Sequence, residues 1–258
     1  MPARGKFIVL EGIDGSGKRT QLEMLARAFA GRGIPCAQMS FPRYDGFFGQ
    51  LVARFLNGEF GPLAAVNPHF SALLYAGDRL EAKPEIESHL AAGRFVLSDR
   101  YIGSNLAHQG ARVPPAGRNA FLEWLSRLEY EIYSLPAEDL VIYLRVPPAV
   151  AQRMLARKGA RGYTKKKRDL QEASLAHLKA ASSVYDDLAR RPTWRTVECL
   201  ASGPVAHSRP VHNRAQKRSH ARSRRVQSPP MLRPPEEIHK EVLAAVETCL
   251  ALSREANA

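Results

Sequence analysis

The sequence is poor in cysteine: Cys36, Cys199 and Cys249 are the only three among 258 residues. Their odd number and wide spacing exclude a disulfide framework and the paired spacing of a structural zinc site. No apolar run approaches the roughly 18 residues that a membrane-spanning helix needs. The first run, residues 7–10, is also too short for the core of a signal peptide. From these absences we expect a protein of the reducing cytoplasm with no membrane partner.

Acidic residues are outnumbered, with 25 Asp and Glu against 38 Lys and Arg, and the formal net charge is +13. The excess lies in two segments, because residues 153–168 and 201–233 each contain eight basic residues and no acidic one. Subtracting these sixteen leaves 22 basic residues against 25 acidic ones, a net charge of −3. The body of the protein is therefore not basic, and its overall charge does not by itself indicate a nucleic-acid partner.

Large apolar residues are scarce in residues 201–233, which contain five Ser, four Pro and three His. A segment of this composition cannot bury enough apolar surface to offset the entropy lost on ordering. We therefore predict a disordered basic insertion inside a single domain that spans residues 1–258. A solvated loop without a function of its own is the simplest interpretation of this insertion.

Short apolar runs alternate with longer amphipathic stretches, a pattern typical of a parallel sheet with helices on both faces. The five candidate strands are residues 7–10, 37–41, 95–97, 140–144 and 194–197. Helical periodicity covers residues 21–32, 48–58, 68–92, 119–133, 150–157, 170–190 and 235–253, and we expect Pro84 to divide the third of these helices. The predicted fold is α/β, a three-layer sandwich around a five-stranded parallel sheet.

A glycine-rich loop follows the first strand and opens the first helix, the context that identifies a P-loop. Glycines let backbone N–H groups turn inward around phosphate oxygens, and the helix N-terminus adds partial positive charge. The ammonium of Lys18 would reach the β- and γ-phosphates of ATP. The candidate ATP-binding residues are Gly12, Asp14, Gly15, Ser16, Gly17, Lys18, Arg19 and Thr20.

The motif lacks a hydroxyl at its usual magnesium position, because Arg19 follows the lysine where Ser or Thr is expected and Thr20 comes one residue later. Asp99 is the candidate ligand for Mg²⁺. It ends an apolar strand, where open α/β sheets bind ligands, and a carboxylate suits Mg²⁺. A contact made through water and a helix-capping role for Asp99 are the alternatives.

Four further clusters follow the loop: residues 41–44 (FPRY), 75–79 (YAGDR), 99–101 (DRY) and 104–110 (SNLAHQG). Together with residues 11–15 (EGIDG), they resemble the thymidylate kinase family in order and spacing. The resemblance covers about residues 6–200 and resumes near residue 234. It implies a P-loop NTPase fold with a mobile lid, a homodimer, and phosphorylation of dTMP to dTDP with ATP and Mg²⁺ in dTTP biosynthesis.

The resemblance also assigns a dTMP site. Arg43, which follows Phe41 and Pro42, would bind the acceptor phosphate. Tyr75 would stack on thymine, and Arg79 would hydrogen-bond the base. Asp14 would accept from the sugar 3′-hydroxyl, and Arg100 would bridge the donor and acceptor phosphates. The remaining candidates are Ser104, Asn105 and Gln109 in the base pocket, Glu172 near the acceptor sugar, and His108 beside the sugar, where a structural histidine is the alternative.

Residues 153–168 resemble the lid that nucleotide kinases close over ATP. Because the P-loop has no internal arginine, the resemblance implies a catalytic arginine from this lid. Arg153, Arg157 and Arg161 are the candidates, and their spacing does not choose among them; they join Lys18, Asp99 and Arg100 as the predicted catalytic set. Another nucleoside or nucleoside monophosphate kinase, or a P-loop nucleic-acid-binding protein, remains open as an alternative.

Overall fold

The computed structural model describes residues 4–156, 174–201 and 231–255 and contains a five-stranded sheet whose strands are all parallel. The strands are β1 (Phe7–Glu11), β2 (Cys36–Ser40), β3 (Phe95–Asp99), β4 (Leu140–Arg145) and β5 (Trp194–Glu198). They lie in the order β2-β3-β1-β4-β5. The predicted α/β class and its five strands are confirmed.

The central strand β1 carries the core of the sheet. Ile8 is paired with Leu97 of β3 on one side and with Leu140 of β4 on the other. All five residues of β1 are buried, and in β4 only Arg145 is exposed. Burial on both faces of the sheet explains why these strands appear in the sequence as continuous apolar runs.

Helices flank the sheet. They are α1 (Lys18–Gly31), α2 (Phe47–Asn57), α3 (Pro68–Ala91), α4 (Ile102–Gly110), α5 (Pro115–Ser126), α6 (Pro148–Ala156), α7 (Leu175–Leu188) and α8 (Pro235–Glu255). Helix α4 begins three residues after β3 and packs against α3 and α7. It therefore meets the P-loop at the carboxyl edge of the sheet.

The prediction that Pro84 divides a helix is wrong, because α3 continues through it. Proline removes only the hydrogen bond to the carbonyl of Leu80, four residues earlier. Ala82 and Ile86 on either side are fully buried. Packing, which provides most of the stability of a helix in a folded protein, keeps this one continuous.

The predicted helix over residues 119–133 has a different form. Helix α5 ends at Ser126, and a π-helical turn (Arg127–Ile132) follows it. Helix α7, predicted over residues 170–190, has Ser174 as its N-cap, and the side chain of Ser174 accepts from the backbone N–H of His177 at 3.1 Å. Residues 170–173 lie outside the described part of the chain.

The two ends of the predicted insertion lie side by side. Leu200 and Leu232 form an antiparallel bridge, and the Ala201 N–H donates to the Met231 carbonyl at 3.0 Å. Residues 202–230 are outside the described ranges, as are residues 157–168 of the predicted lid. Among the helices that are described, none combines the length and the apolarity that crossing a membrane requires.

Candidate active site

The loop between β1 and α1 has a backbone that depends on glycine. Gly12, Gly15 and Gly17 have φ angles of 143°, 88° and 93°, a region that side chains with a Cβ rarely adopt. At Gly15 a Cβ would also lie 2.5 Å from the carbonyl oxygen of Ala151 in α6. Only glycine at this position allows the loop to pass so close to α6.

The Lys18 side chain lies beneath this loop and is 6% exposed. Its Nζ donates to the carbonyls of Gly12 at 2.9 Å and Ile13 at 3.2 Å. Burial, with a smaller contribution from the Arg100 cation, lowers the pKa of Lys18 to about 8. A buried ammonium whose nearest partners are neutral carbonyls is well suited to bind an anion.

Arg100 joins the P-loop to α4. Its Nη2 donates to Asp14 Oδ1 at 2.6 Å, and its Nη1 donates to Ser104 Oγ at 2.9 Å and lies 3.4 Å from His108 Nε2. Burial works against the charge of Arg100, but the Asp14 carboxylate holds its pKa well above the ordinary value. Arg100 also has a φ of 71°, which is uncommon for a residue other than glycine.

A cleft of about 500 Å³ opens beside Arg100. It brings together ten of the predicted residues with three that were not predicted, Tyr44, Leu56 and Tyr101. The ten are Asp14, Phe41, Pro42, Tyr75, Arg79, Arg100, Ser104, Asn105, His108 and Gln109. Most of the residues proposed for one nucleotide therefore line one cleft, although their numbers in the chain span almost a hundred positions.

The Asn105 amide in the cleft is oriented by its neighbours. Its Nδ2 donates to the Ala72 carbonyl at 3.0 Å and to Glu129 Oε1 at 2.8 Å. Because both partners can only accept, the nitrogen must be on this side and Oδ1 on the other. Oδ1 is buried and has no hydrogen-bond partner. Asn105, which lines the cleft, therefore has an unused acceptor.

Gln109 contributes an unused donor. Its Oε1 accepts from Ser71 Oγ at 2.8 Å and from Arg112 Nη1 at 2.7 Å. Because a guanidinium can only donate, this contact identifies the oxygen of the amide. The Nε2 of Gln109 is buried without a partner.

Arg79 is 1% exposed and is held by a buried carboxylate. Its Nε and Nη2 donate to the two oxygens of Glu129 at 2.5 and 2.7 Å. Glu129 belongs to the π-helical turn that follows α5. This two-point contact fixes the guanidinium plane and leaves Nη1 as the nitrogen that Glu129 does not engage.

Arg43 follows a cis peptide bond between Phe41 and Pro42 and is not among the residues that line the cleft. Its Nη1 donates to Glu85 Oε2 at 3.0 Å, and its buried Nε has no hydrogen-bond partner. Its backbone N–H donates to Asp78, a carboxyl whose pKa is raised to about 6 by burial.

Asp99 ends β3, and its Oδ1 is buried without a hydrogen-bond partner. It lies close enough to Lys18 to raise the pKa of that ammonium. In the described residues, no group of three His, Cys, Asp or Glu side chains could hold a metal ion. One free carboxylate oxygen suits Mg²⁺, which usually keeps waters and takes few ligands from protein. Arg19 is 82% exposed and paired with Glu23, away from the loop interior.

Comparisons with known proteins identify the family of this chain. The family model described as "Thymidylate kinase" matches residues 10–205 of this chain. The chain belongs to the thymidylate kinase family. It is 35% identical to a thymidylate kinase of Synechococcus sp. (strain RCC307), over 81% of this chain and 95% of that protein. It is 33% identical to a thymidylate kinase of Mycobacterium tuberculosis (strain ATCC 25618 / H37Rv), over 71% and 85%.

A solved structure of thymidylate kinase from Candida albicans shares the fold of this family member. It is 22% identical in sequence and has a TM-score of 0.60, over 77% of this chain and 85% of that chain. The likeness supports the sheet order and the flanking helices.

The lid candidates of this thymidylate kinase family member are only partly described. Arg153 lies on α6 and is exposed. Arg157, Arg161 and Glu172 lie outside the described residues. The assignment of a lid arginine therefore stays a prediction.

Three residues that support the cleft were not predicted: Glu11, Glu129 and His177. Glu11 is fully buried at the end of β1. His177 Nε2 lies 3.3 Å from His108 Nδ1, and burial lowers the pKa of His177 to about 4. Glu11 is the first residue of the EGIDG cluster that supported the family resemblance, and its place in this cluster could have identified it as a site residue. No comparable pattern marks the other two.

Proposed function

We propose that this chain transfers the γ-phosphoryl group of ATP to dTMP, forming ADP and dTDP. The observation that carries the proposal is the buried, unpartnered Oδ1 of Asn105 in a cleft beside Arg100 and the P-loop. Thymine presents an N3–H donor to such an acceptor. Cytosine N3 and adenine N1 are acceptors, so they would leave two acceptors facing each other. The fixed amide of Asn105 therefore favours thymine and uracil over cytosine and adenine.

The other cleft residues complete a site for a pyrimidine. Gln109 and Arg79 line the cleft, and their Nε2 and Nη1 donors would bind the carbonyl oxygens of the base. Tyr75, half-buried, would stack on the ring. Ser104 would also line the base pocket, His108 would lie toward the sugar, and Phe41 and Pro42 would form an apolar wall.

The P-loop side supplies the site for ATP. The loop backbone from Gly12 to Thr20 and the Lys18 ammonium would hold the donor phosphates. Arg100, between the loop and the cleft, would stabilise negative charge on the transferring group. Asp14, now bound to Arg100, would accept from the sugar 3′-hydroxyl. The acceptor phosphate is already ionised, so in-line transfer needs no strong general base.

Mg²⁺ would be held by the free oxygen of Asp99, and it would supply charge neutralisation of the phosphates. Arg43 would leave Glu85 and bind the acceptor phosphate; its Nε lies 3.9 Å from Asp78 Oδ1 and makes no hydrogen bond. Arg153, Arg157 or Arg161 would add positive charge from the lid, and Glu172 would contact the acceptor sugar.

A panel of acceptors tests this assignment. ADP release should be measured with dTMP, dUMP, dCMP, dAMP and thymidine at equal concentrations with Mg·ATP. We expect dTMP and dUMP to react and thymidine not to react. The rates with dCMP and dAMP should be at least tenfold lower because their bases present an acceptor to Asn105, a cost of about one lost hydrogen bond. Preference for dCMP, dAMP or thymidine would favour another nucleoside or nucleoside monophosphate kinase.

We also propose a homodimer packed through α3. Phe70, Leu73 and Leu80 recur at helical spacing and are 45%, 37% and 38% exposed, and the nearby Phe47 is 66% exposed. Exposed apolar groups of this size favour a protein partner. Light scattering should give a dimer for the wild type and a monomer for the double variant Leu73→Glu/Leu80→Glu. A monomeric wild type at micromolar concentration would contradict the proposal.

Cys36, Cys199 and Cys249 are in no disulfide. Unbridged thiols are typical of a reducing compartment, and they support the proposal that this chain works in the cytoplasm.

A further inference from the structure

The Glu11 carboxylate accepts four hydrogen bonds at the end of β1, where it is 0% exposed. Its Oε1 accepts from the backbone N–H groups of Tyr101 and Ser104, both at 2.9 Å. Its Oε2 accepts from Ser104 Oγ at 2.6 Å and Tyr185 OH at 2.8 Å. We propose that Glu11 is a positioning residue that fixes the Arg100 guanidinium and thereby raises the rate of phosphoryl transfer. The inference rests on the proposed function.

The backbone part of this contact begins at the N-terminus of α4. The first N–H groups of a helix have no partner inside the helix, and no α4 side chain caps them. The Glu11 carboxylate, from a different element, accepts from two N–H groups there. The residue just before Tyr101 is Arg100, with its left-handed φ of 71° and its N–H bonded to the Leu10 carbonyl at 3.0 Å. The Arg100 backbone is therefore fixed by its own bond to Leu10 and by the bond from the next residue, Tyr101, to Glu11. Both acceptors lie at the end of β1.

The side-chain part is a directed chain of hydrogen bonds. Arg100 Nη1 can only donate, so Ser104 Oγ accepts from it and must place its single hydrogen elsewhere. Glu11 Oε2 at 2.6 Å is the charged acceptor for that hydrogen. Tyr185 OH, 2.9 Å from Ser104 Oγ, also donates to Oε2, and burial raises its pKa well above the ordinary value, so it stays a donor. The chain runs from Arg100 to Ser104 to Glu11.

A glycine on α4 permits this close approach. A Cβ at Gly103 would lie 2.9 Å from Glu11 Oε1 and 2.9 Å from the Trp194 ring. The carboxylate cannot move aside without breaking its four hydrogen bonds. A larger residue at position 103 would therefore push α4, and Arg100 with it, away from the P-loop.

The expected effect is on the rate and not on binding. Arg100 acts on charge that develops as the phosphoryl group moves, so a small displacement weakens transition-state binding more than substrate binding. Glu11→Gln keeps the size of the side chain but turns its donor toward the Ser104 and Tyr185 hydroxyls. We expect kcat to fall at least about tenfold, with KM for dTMP and for ATP within about twofold.

Tyr185→Phe and Tyr143→Phe form a matched pair. The two rings stack with centroids 5.3 Å apart, but the Tyr143 hydroxyl bonds to Asp186 instead of Glu11. We expect kcat to fall about threefold in Tyr185→Phe, since one of the four hydrogen bonds that hold the Glu11 carboxylate is lost, and to be unchanged in Tyr143→Phe. Gly103→Ala removes no hydrogen-bonding group and should lower kcat as Glu11→Gln does. These variants keep the test open if Glu11→Gln does not fold.

A double-variant cycle separates positioning from stability. If Glu11 acts through Arg100, then Glu11→Gln in an Arg100→Ala background should change kcat by less than about twofold. Additive losses, or a Glu11→Gln enzyme with wild-type kcat, would overturn the inference. A wild type without dTMP-dependent ADP release would instead overturn the proposed function, so the two failures are distinguishable.

Discussion

At the scale of single residues, Lys18 is a charge buried among neutral carbonyls, and its pKa of about 8 sets a pH limit on phosphate binding. Above this pH the free protein loses the proton, but bound phosphates retain it, so binding must take up a proton. We expect the Kd for ATP to rise between pH 8 and 10, by up to about tenfold per pH unit. Calorimetry across this range measures the slope.

Lys18→Arg is the control for this pH dependence, because a guanidinium stays charged throughout. Its affinity for ATP, whatever its value at pH 7, should vary little up to pH 10. An equal slope in the variant and the wild type would assign the titration to another group.

A second prediction concerns the stability that the buried Arg79–Glu129 ion pair provides. Both partners are at most 2% exposed, so removing either one leaves a buried charge uncompensated. Glu129→Leu should lower the free energy of unfolding by about 3–5 kcal/mol, and Arg79→Met/Glu129→Leu should cost less than the two single changes together. Denaturant unfolding gives these values.

The exposed pair Arg127–Glu131 in the same turn is the control, and Glu131→Ala should cost less than about 1 kcal/mol. Equal costs in the two pairs would contradict the assignment.

The sequence identified single residues only where a motif marks them. Lys18, Asp14 and Arg100 belong to short clusters whose chemistry is recognisable, and the structure places them together. Glu129 lies 50 residues after Arg79 in a stretch that looks like an ordinary amphipathic surface. Its contact with Arg79 depends on packing between elements, which composition and spacing do not encode.

At the scale of the elements, the P-loop depends on glycine for two separate reasons, backbone conformation and close approach. Gly15→Ala should abolish measurable ATP binding, because φ is 88° and the Cβ would lie 2.5 Å from a carbonyl oxygen. Gly33→Ala is the matched control, since φ is 66° there but no atom lies within 4 Å. It should cost about 1 kcal/mol of stability and leave ATP binding intact. Equal loss of binding in both would show that the approach to α6 is not decisive.

The sequence predicted elements correctly where both faces of a strand are buried. It failed where packing overrides a local preference. The five strands follow from apolar runs covered on both faces, and their bounds agree within about two residues. Pro84 was expected to break α3, but buried neighbours outweigh the one hydrogen bond that proline removes. The π-helical turn after α5 has no sequence signal of its own.

At the scale of the whole molecule, the charge of +13 is unevenly placed, and the insertion can be tested by removal. Because Ala201 and Met231 are already paired, an Asn-Gly turn can join them and replace residues 202–230. The deletion removes seven basic residues and no acidic one, so the net charge falls from +13 to +6. We expect kcat and KM for dTMP within about twofold of the wild type.

The same deletion tests the nucleic-acid alternative. If the insertion bound nucleic acid, the wild type would show affinity that falls steeply with salt and is absent from the deletion variant. We expect no such difference. A tenfold loss of kcat in the deletion variant would instead assign the insertion a part in catalysis.

Phosphoryl transfer from ATP to dTMP can be followed directly in the ³¹P NMR spectrum of the wild-type protein with dTMP and Mg·ATP. We expect the β-phosphate signal of dTDP to appear together with ADP, in equal amounts. We expect Arg100→Ala to slow the formation of both at least a hundredfold, about the effect of losing one charge-stabilising group. Release of ADP and inorganic phosphate without dTDP, or dTDP formation that is unchanged in Arg100→Ala, would contradict these expectations.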